Sequence, residues 1–122
     1  MDAAQRVPIE TVGQWRAWLE ANADSCDGVW MVLWRPTTGR SRITYDDAIL
    51  EALCFGWIDG QAKPLDDERS MLWFAPRSPT SAWAATNKAR VERLVAEGRM
   101  RPEGQRLIDL ARANGMWTLL DG

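Results

Sequence analysis

At 122 residues, with 46% apolar and 26% charged side chains, the chain has the size and composition of one globular domain. Histidine is absent and the formal net charge is only −2, which excludes imidazole-based nucleophilic triads and the common imidazole zinc sites. No uncharged run approaches the roughly 20 residues of a membrane span, and the N-terminus lacks a signal peptide's apolar core. A cytoplasmic protein without a membrane partner is therefore expected.

Thr11-Val12-Gly13-Gln14 has the form of a capping box, and Val12, Trp15, Trp18, Leu19 and Asn22 recur at helical spacing. A helix over about 12–22 is predicted, with Asp27-Gly28 as the turn out. Val29 to Trp34 is apolar on both alternating faces and too short for a typical helix, which reads as a central strand covered on both sides. Thr44 with Asp47 opens a second helix, whose apolar stripe is Tyr45, Ala48, Ile49, Ala52 and Leu53. Gly56 suits a left-handed C-terminal position.

Trp57 to Lys63 and Ser70 to Ala75 read as two strands joined through the turn-rich Pro64-Leu65-Asp66-Asp67. Strand alternation puts Trp57, Asp59, Gln61 and Lys63 on one face. Ser81 is a suitable N-cap for a helix running to Glu97 and closed by Gly98, and Pro102 to Gly115 frames a last helix over about 102–114. The order predicts an α+β fold, a small mainly antiparallel sheet packed by about four helices, as a single domain over residues 1–122. Cys26 and Cys54 are not closely spaced, and Cys54 sits among apolar neighbours as a small hydrophobe. No metal site and no cofactor are predicted.

Charge is uneven. Residues 1–60 carry five basic and nine acidic groups, whereas residues 61–122 carry ten and eight. The run from Arg77 through Lys88, Arg90, Arg93 and Arg99 to Arg101 either attracts an anion or forms a solvated helix face. Asp59 is the first candidate site residue, because a carboxylate on a covered strand must find a partner or take up a proton. Arg77 is its expected partner, through two parallel hydrogen bonds. Trp57, Trp73 and Trp83 flank these two charges and offer surfaces for a planar ligand, while Trp15, Trp18, Trp30 and Trp34 fit core packing. Asn87 on an apolar stripe needs hydrogen-bond partners, and Lys88 and Arg90 project outward. The candidate ligand-binding set is Trp57, Asp59, Gln61, Trp73, Arg77, Ser81, Trp83, Asn87 and Lys88. Tyr45, at a helix start, is expected to pack.

The runs Trp15 to Glu20, Asp27 to Trp30 and Thr44 to Ala48 also resemble a bacterial family, most strongly at Glu51-Ala52-Leu53-Cys54-Phe55-Gly56-Trp57-Ile58-Asp59-Gly60-Gln61. The likeness continues through Pro76-Arg77-Ser78-Pro79-Thr80-Ser81-Ala82-Trp83, Asn87-Lys88 and Arg93 to Met100. These motifs are similar to the YdeI/OmpD-associated proteins, also called bacteriocin-protection proteins, over roughly residues 9–117. The resemblance implies a cytoplasmic bacterial protein linked to stress or bacteriocin protection, with no settled molecular activity. Members of that family usually continue past the position of Trp117 to Gly122 into a further, mainly helical segment that could serve as a lid or dimer surface. Ala84 stands where the family's motif often has a serine.

Three functions are compatible with these residues. The leading expectation is a non-catalytic module binding a small anionic or planar ligand or a partner peptide, as a monomer or homodimer. The second is a small enzyme with Asp59 as general acid or base and Arg77 stabilising negative charge. The third, nucleic-acid binding through the basic helix, runs against the acidic balance of the chain.

Overall fold

Helix α2 (Tyr45–Cys54) is the hub of the fold, because every residue from Ala48 to Cys54 is buried. In the computed structural model, which describes residues 5–121, this helix touches α1 (Val12–Asn22), β3 (Trp57–Pro64), α3 (Ala85–Ala96) and α4 (Pro102–Asn114). The remaining strands are β1 (Arg6–Pro8), β2 (Val29–Trp34) and β4 (Arg69–Pro76), and Pro36–Thr38 forms one 3-10 turn. The four strands lie in the order β1-β2-β4-β3. Only β1 and β2 run parallel, so the α+β fold with a mainly antiparallel sheet and four helices is as the sequence predicts. No helix of the described residues is long and apolar enough to cross a membrane.

Local chemistry fixes the helix ends. Thr11 Oγ1 accepts from the Gln14 amide at 3.1 Å, while the Gln14 carboxamide takes the Glu10 amide rather than that of Thr11. Thr44 and Asp47 complete a reciprocal capping box. At the other end of α2, Gly56 has φ +78° and begins the turn into β3. A Cβ there would also lie 3.2 Å from the Glu103 carbonyl oxygen, so α4 passes close to this turn.

The strand β1 was not foreseen. It is three residues long and ends in proline, too short to show alternation, and its parallel pairing to β2 defines it. The expectation that β2 is covered on both sides holds for one face. Val29 and Met31, paired with Phe74 and Leu72, are fully shielded beneath the helices. The opposite face carries no helix: Val32 and Met71 are buried there, but Trp30, Trp34 and Trp73 are only half-buried. Cations shield those indoles from above. Lys63 Nζ lies 5.4 Å from the Trp30 ring, and the Arg40 guanidinium lies 4.7 Å from Trp34.

Two further expectations change. The register slips between Asp59 and Ala62, so the extra residue of a bulge puts Lys63 opposite Met71 and over Trp30. Trp57, Asp59, Gln61 and Lys63 therefore do not share one face. Helix α3 starts at Ala85, without a side-chain cap, rather than after Ser81. Ser78, Thr80 and Ser81 bond among themselves in a turn, and the Trp83 amide is taken by the Met116 carbonyl at 3.1 Å. The Trp83 amide is therefore not free to take a cap from Ser81, and α3 begins only after Ala84.

Candidate functional site

The nine residues expected to form one site do not converge on one place. Trp57 is buried in the core against Trp18, and its indole nitrogen donates to Ala23 O at 3.1 Å. Trp73 lies on the helix-free face against Trp30, between Gly28 and Gly60, where a Cβ would meet its ring at 2.2 and 3.0 Å. Gln61 is exposed near the bulge. Asn87 and Lys88 belong to the surface of α3.

Asp59 and Arg77 do not pair. Asp59 Oδ2 accepts from the Tyr45 hydroxyl at 3.2 Å, so Tyr45, nearly half exposed, anchors the strand instead of filling the core. Partial desolvation of that hydroxyl, followed by the charge of Asp59, pushes the phenol above its ordinary value. Arg77 is buried, with its guanidinium 3.9 Å from the centre of the Trp83 ring. Its Nη2 donates to Ala82 O at 2.8 Å, and its Nε is shielded from solvent with no acceptor. Burial pushes the guanidinium down from its ordinary value, and no carboxylate opposes that effect.

The rest of the basic run is neutralised within the protein. Lys88 meets Asp121 at 2.6 Å, and Arg90 meets Asp46 at 2.9 Å while taking Asn87 Oδ1. Arg93 and Arg99 hold Glu97, Arg99 also reaches Glu51, and Arg101 lies between Glu20 and Glu103. Among the described cations from Arg77 to Arg101, Arg77 alone has no carboxylate partner. Asn87 thus orients Arg90 rather than facing a ligand, and Lys88 and Arg90 are pinned rather than projecting freely.

Arg77 also forms part of a cavity wall. A hollow of about 330 Å³ opens between the turn after α1, the α2–β3 junction, the end of β4 and α4. Phe55, Trp57, Pro76 and Leu107 supply its apolar surface, and Asp24, Arg77, Glu103 and Arg106 its charges. Two glycines make this enclosure possible. Gly56 admits Leu107, and Gly104 lets α4 approach the end of α2, since a Cβ there would lie 2.6 Å from Leu53 O. Sequence reasoning missed Asp24, Phe55, Glu103, Arg106 and Leu107 as wall residues. A buried glycine inside an otherwise regular helix was the available signal, because it marks close backbone approach.

Two other hollows are weaker candidates. One of about 620 Å³ runs along α4 alone, so no second element closes it. Another of about 500 Å³ lies beside Tyr45, but the hydroxyls of Ser41, Thr44 and Tyr45 there are already bonded within the protein. No cluster of three or more metal-ligating side chains occurs among the described residues.

Residues 7–107 match a family model described as a domain of unknown function, DUF8412. The chain belongs to this family. No curated protein and no solved structure matches it. The DUF8412 span runs from β1 into α4 and contains every residue lining the Arg77 cavity, from Ala23 to Leu107. Trp117, whose ring lies 5.2 Å from that of Trp83 in a tilted arrangement, lies beyond it.

Proposed function

We propose that the protein is a non-catalytic binding module whose ligand is a small anion held by Arg77. One observation carries this reading: Arg77, one of the residues lining the cavity, is a buried cation with an unbonded Nε and no carboxylate partner. Desolvating an unpaired charge costs several kcal/mol, roughly, and an anionic ligand offsets that cost by completing the pair. The apolar wall from Phe55, Trp57, Pro76 and Leu107 favours a ligand with an apolar body. The physiological role we assign is stress or bacteriocin protection in a bacterial cytoplasm, which rests on the YdeI/OmpD-associated motifs alone.

The enzymatic alternative loses support, because Asp59 is bonded to Tyr45 while Arg77 is held by Ala82 and Trp83. Nucleic-acid binding loses support too, since the basic helix is spent on internal ion pairs.

A thermal-shift series with carboxylates, acyl phosphates, nucleotides and short peptides tests the proposal. A carboxylate is expected to raise the Tm of the protein, and Arg77→Met is expected to remove the response. If no anion stabilises the protein, the reading is wrong. A bacterial host deleted for the gene is expected to become more sensitive to bacteriocins, and unchanged sensitivity would remove the protection label.

A further inference from the structure

We infer that the Arg77 cavity takes a zwitterion, an α-amino acid with an apolar side chain, whose carboxylate meets Arg77 and whose ammonium meets Asp24. This rests on the reading of the cavity as an anion site and adds the chemistry of the ligand's other end.

The wall is not uniformly basic. It carries two arginines, Arg77 and Arg106, and two acids, Asp24 and Glu103. Such balance disfavours a phosphate dianion, which the acids repel, and suits a ligand with one charge of each sign. The two acids are not equivalent. Glu103 lies beside Arg101, its Oε1 3.6 Å from the Nε but without a hydrogen bond, whereas Asp24 has no ion pair among the described residues. The wall thus includes a buried cation without an anion and an exposed anion without a cation.

The placement of Asp24 is fixed by its neighbour. Ala23 ends α1 with its amide bonded to Leu19 O at 2.8 Å, and its own carbonyl accepts the Trp57 indole N–H. With that N–H committed, Trp57 offers the cavity an apolar surface. Phe55, Pro76 and Leu107 complete the surface for a side chain. The volume of about 330 Å³ is at the small end of ligand sites, which run from roughly 300 to 1,000 Å³, and fits an amino acid better than a nucleotide.

Calorimetric titration of the full chain with three matched compounds tests the inference. L-Phenylalanine carries both charges, 3-phenylpropanoate lacks the ammonium, and 2-phenylethylamine lacks the carboxylate. Phenylalanine is expected to bind about tenfold more tightly than either, the worth of one charge-assisted contact. Asp24→Asn, an exposed substitution that should not disturb folding, is expected to abolish the advantage over 3-phenylpropanoate. Equal binding of phenylalanine and 3-phenylpropanoate, or tighter binding of inorganic phosphate, would overturn the zwitterion and leave the anion site standing. Phenylethylamine binding as tightly as phenylalanine would overturn the role of Arg77. Binding of none of the compounds, with no anion active in the thermal-shift series, would overturn both readings.

Discussion

Glu51 and Arg77 are the two buried charged residues among those described, and the protein treats them in opposite ways. Glu51, in the middle of the hub helix, has both carboxylate oxygens taken: Arg16 Nη1 at 2.8 Å on one and Arg99 Nη2 on the other. Arg77, at the end of β4, has an aromatic ring and one carbonyl, with one donor left over. A buried charge held by two opposite charges is a structural clamp, here tying α1 and the α3–α4 turn to α2. A buried charge without one persists only where something outside the fold completes it or where its cost is tolerated for function. The same element of chemistry thus serves assembly at Glu51 and, on the proposed function, recognition at Arg77.

The clamp is where substitution should do most damage. Replacing both Arg16 and Arg99 by Met leaves Glu51 buried without a cation, and this is expected to cost about 3–5 kcal/mol in urea unfolding. A cost below about 1 kcal/mol would show that Glu51 reaches solvent and would dissolve the contrast with Arg77. Next in size is Gly104→Ala. Its Cβ would meet Leu53 O at 2.6 Å and Cys54 O at 2.7 Å, backbone atoms that cannot turn aside. Overpacking of this kind is expected to cost about 1–3 kcal/mol, and because α4 forms one cavity wall, ligand affinity should fall with it.

Arg77→Met should behave differently from both. It removes a bond to Ala82 O and the stacking on Trp83, but it also removes an unpaired buried charge. The expected stability change is within about 1 kcal/mol of zero, of either sign, while anion binding is lost. Destabilisation as large as that from the Arg16 and Arg99 double substitution would recast Arg77 as a second clamp.

These contrasts also explain what the sequence could and could not reveal. Helix limits were readable because they depend on a few adjacent residues: Thr11 and Thr44 at starts, Gly56 and Gly115 at ends. Partnership was not readable, because it depends on which atoms the fold has already used. Asp59 and Arg77 attract each other on paper, yet Tyr45 lies within 3.2 Å of the acid and Trp83 covers the arginine. Ser81 is a good cap in isolation, but the Trp83 amide is spent on Met116. The shared strand face failed for a subtler reason. One inserted residue reverses the alternation, and the only local sign of it was Gly60, whose missing Cβ makes room for Trp73. The cavity wall draws on residues 23 to 107, a convergence that no window along the chain displays.

The smallest expected effect comes from an ion pair that neither folds the core nor faces a ligand. Asp66 closes the β3–β4 turn, accepting from the Glu68 and Arg69 amides and pairing with the Arg69 side chain at 2.7 Å in the open. The Arg69 side chain first, and the Glu68 amide next, hold its carboxyl below the usual carboxylate value. A carboxyl whose folded value is depressed contributes stability above its unfolded value of about 3.9, and loses it as pH falls through the lower folded value. Asp66→Asn should therefore narrow the difference in Tm between pH 7 and pH 3, and leave anion binding at neutral pH untouched. Solvent screening keeps the effect small. An Asp66→Asn protein with an unaltered pH dependence would show that geometry alone, through the two backbone amides, sets this turn. Charge would then matter in this fold only where water is excluded.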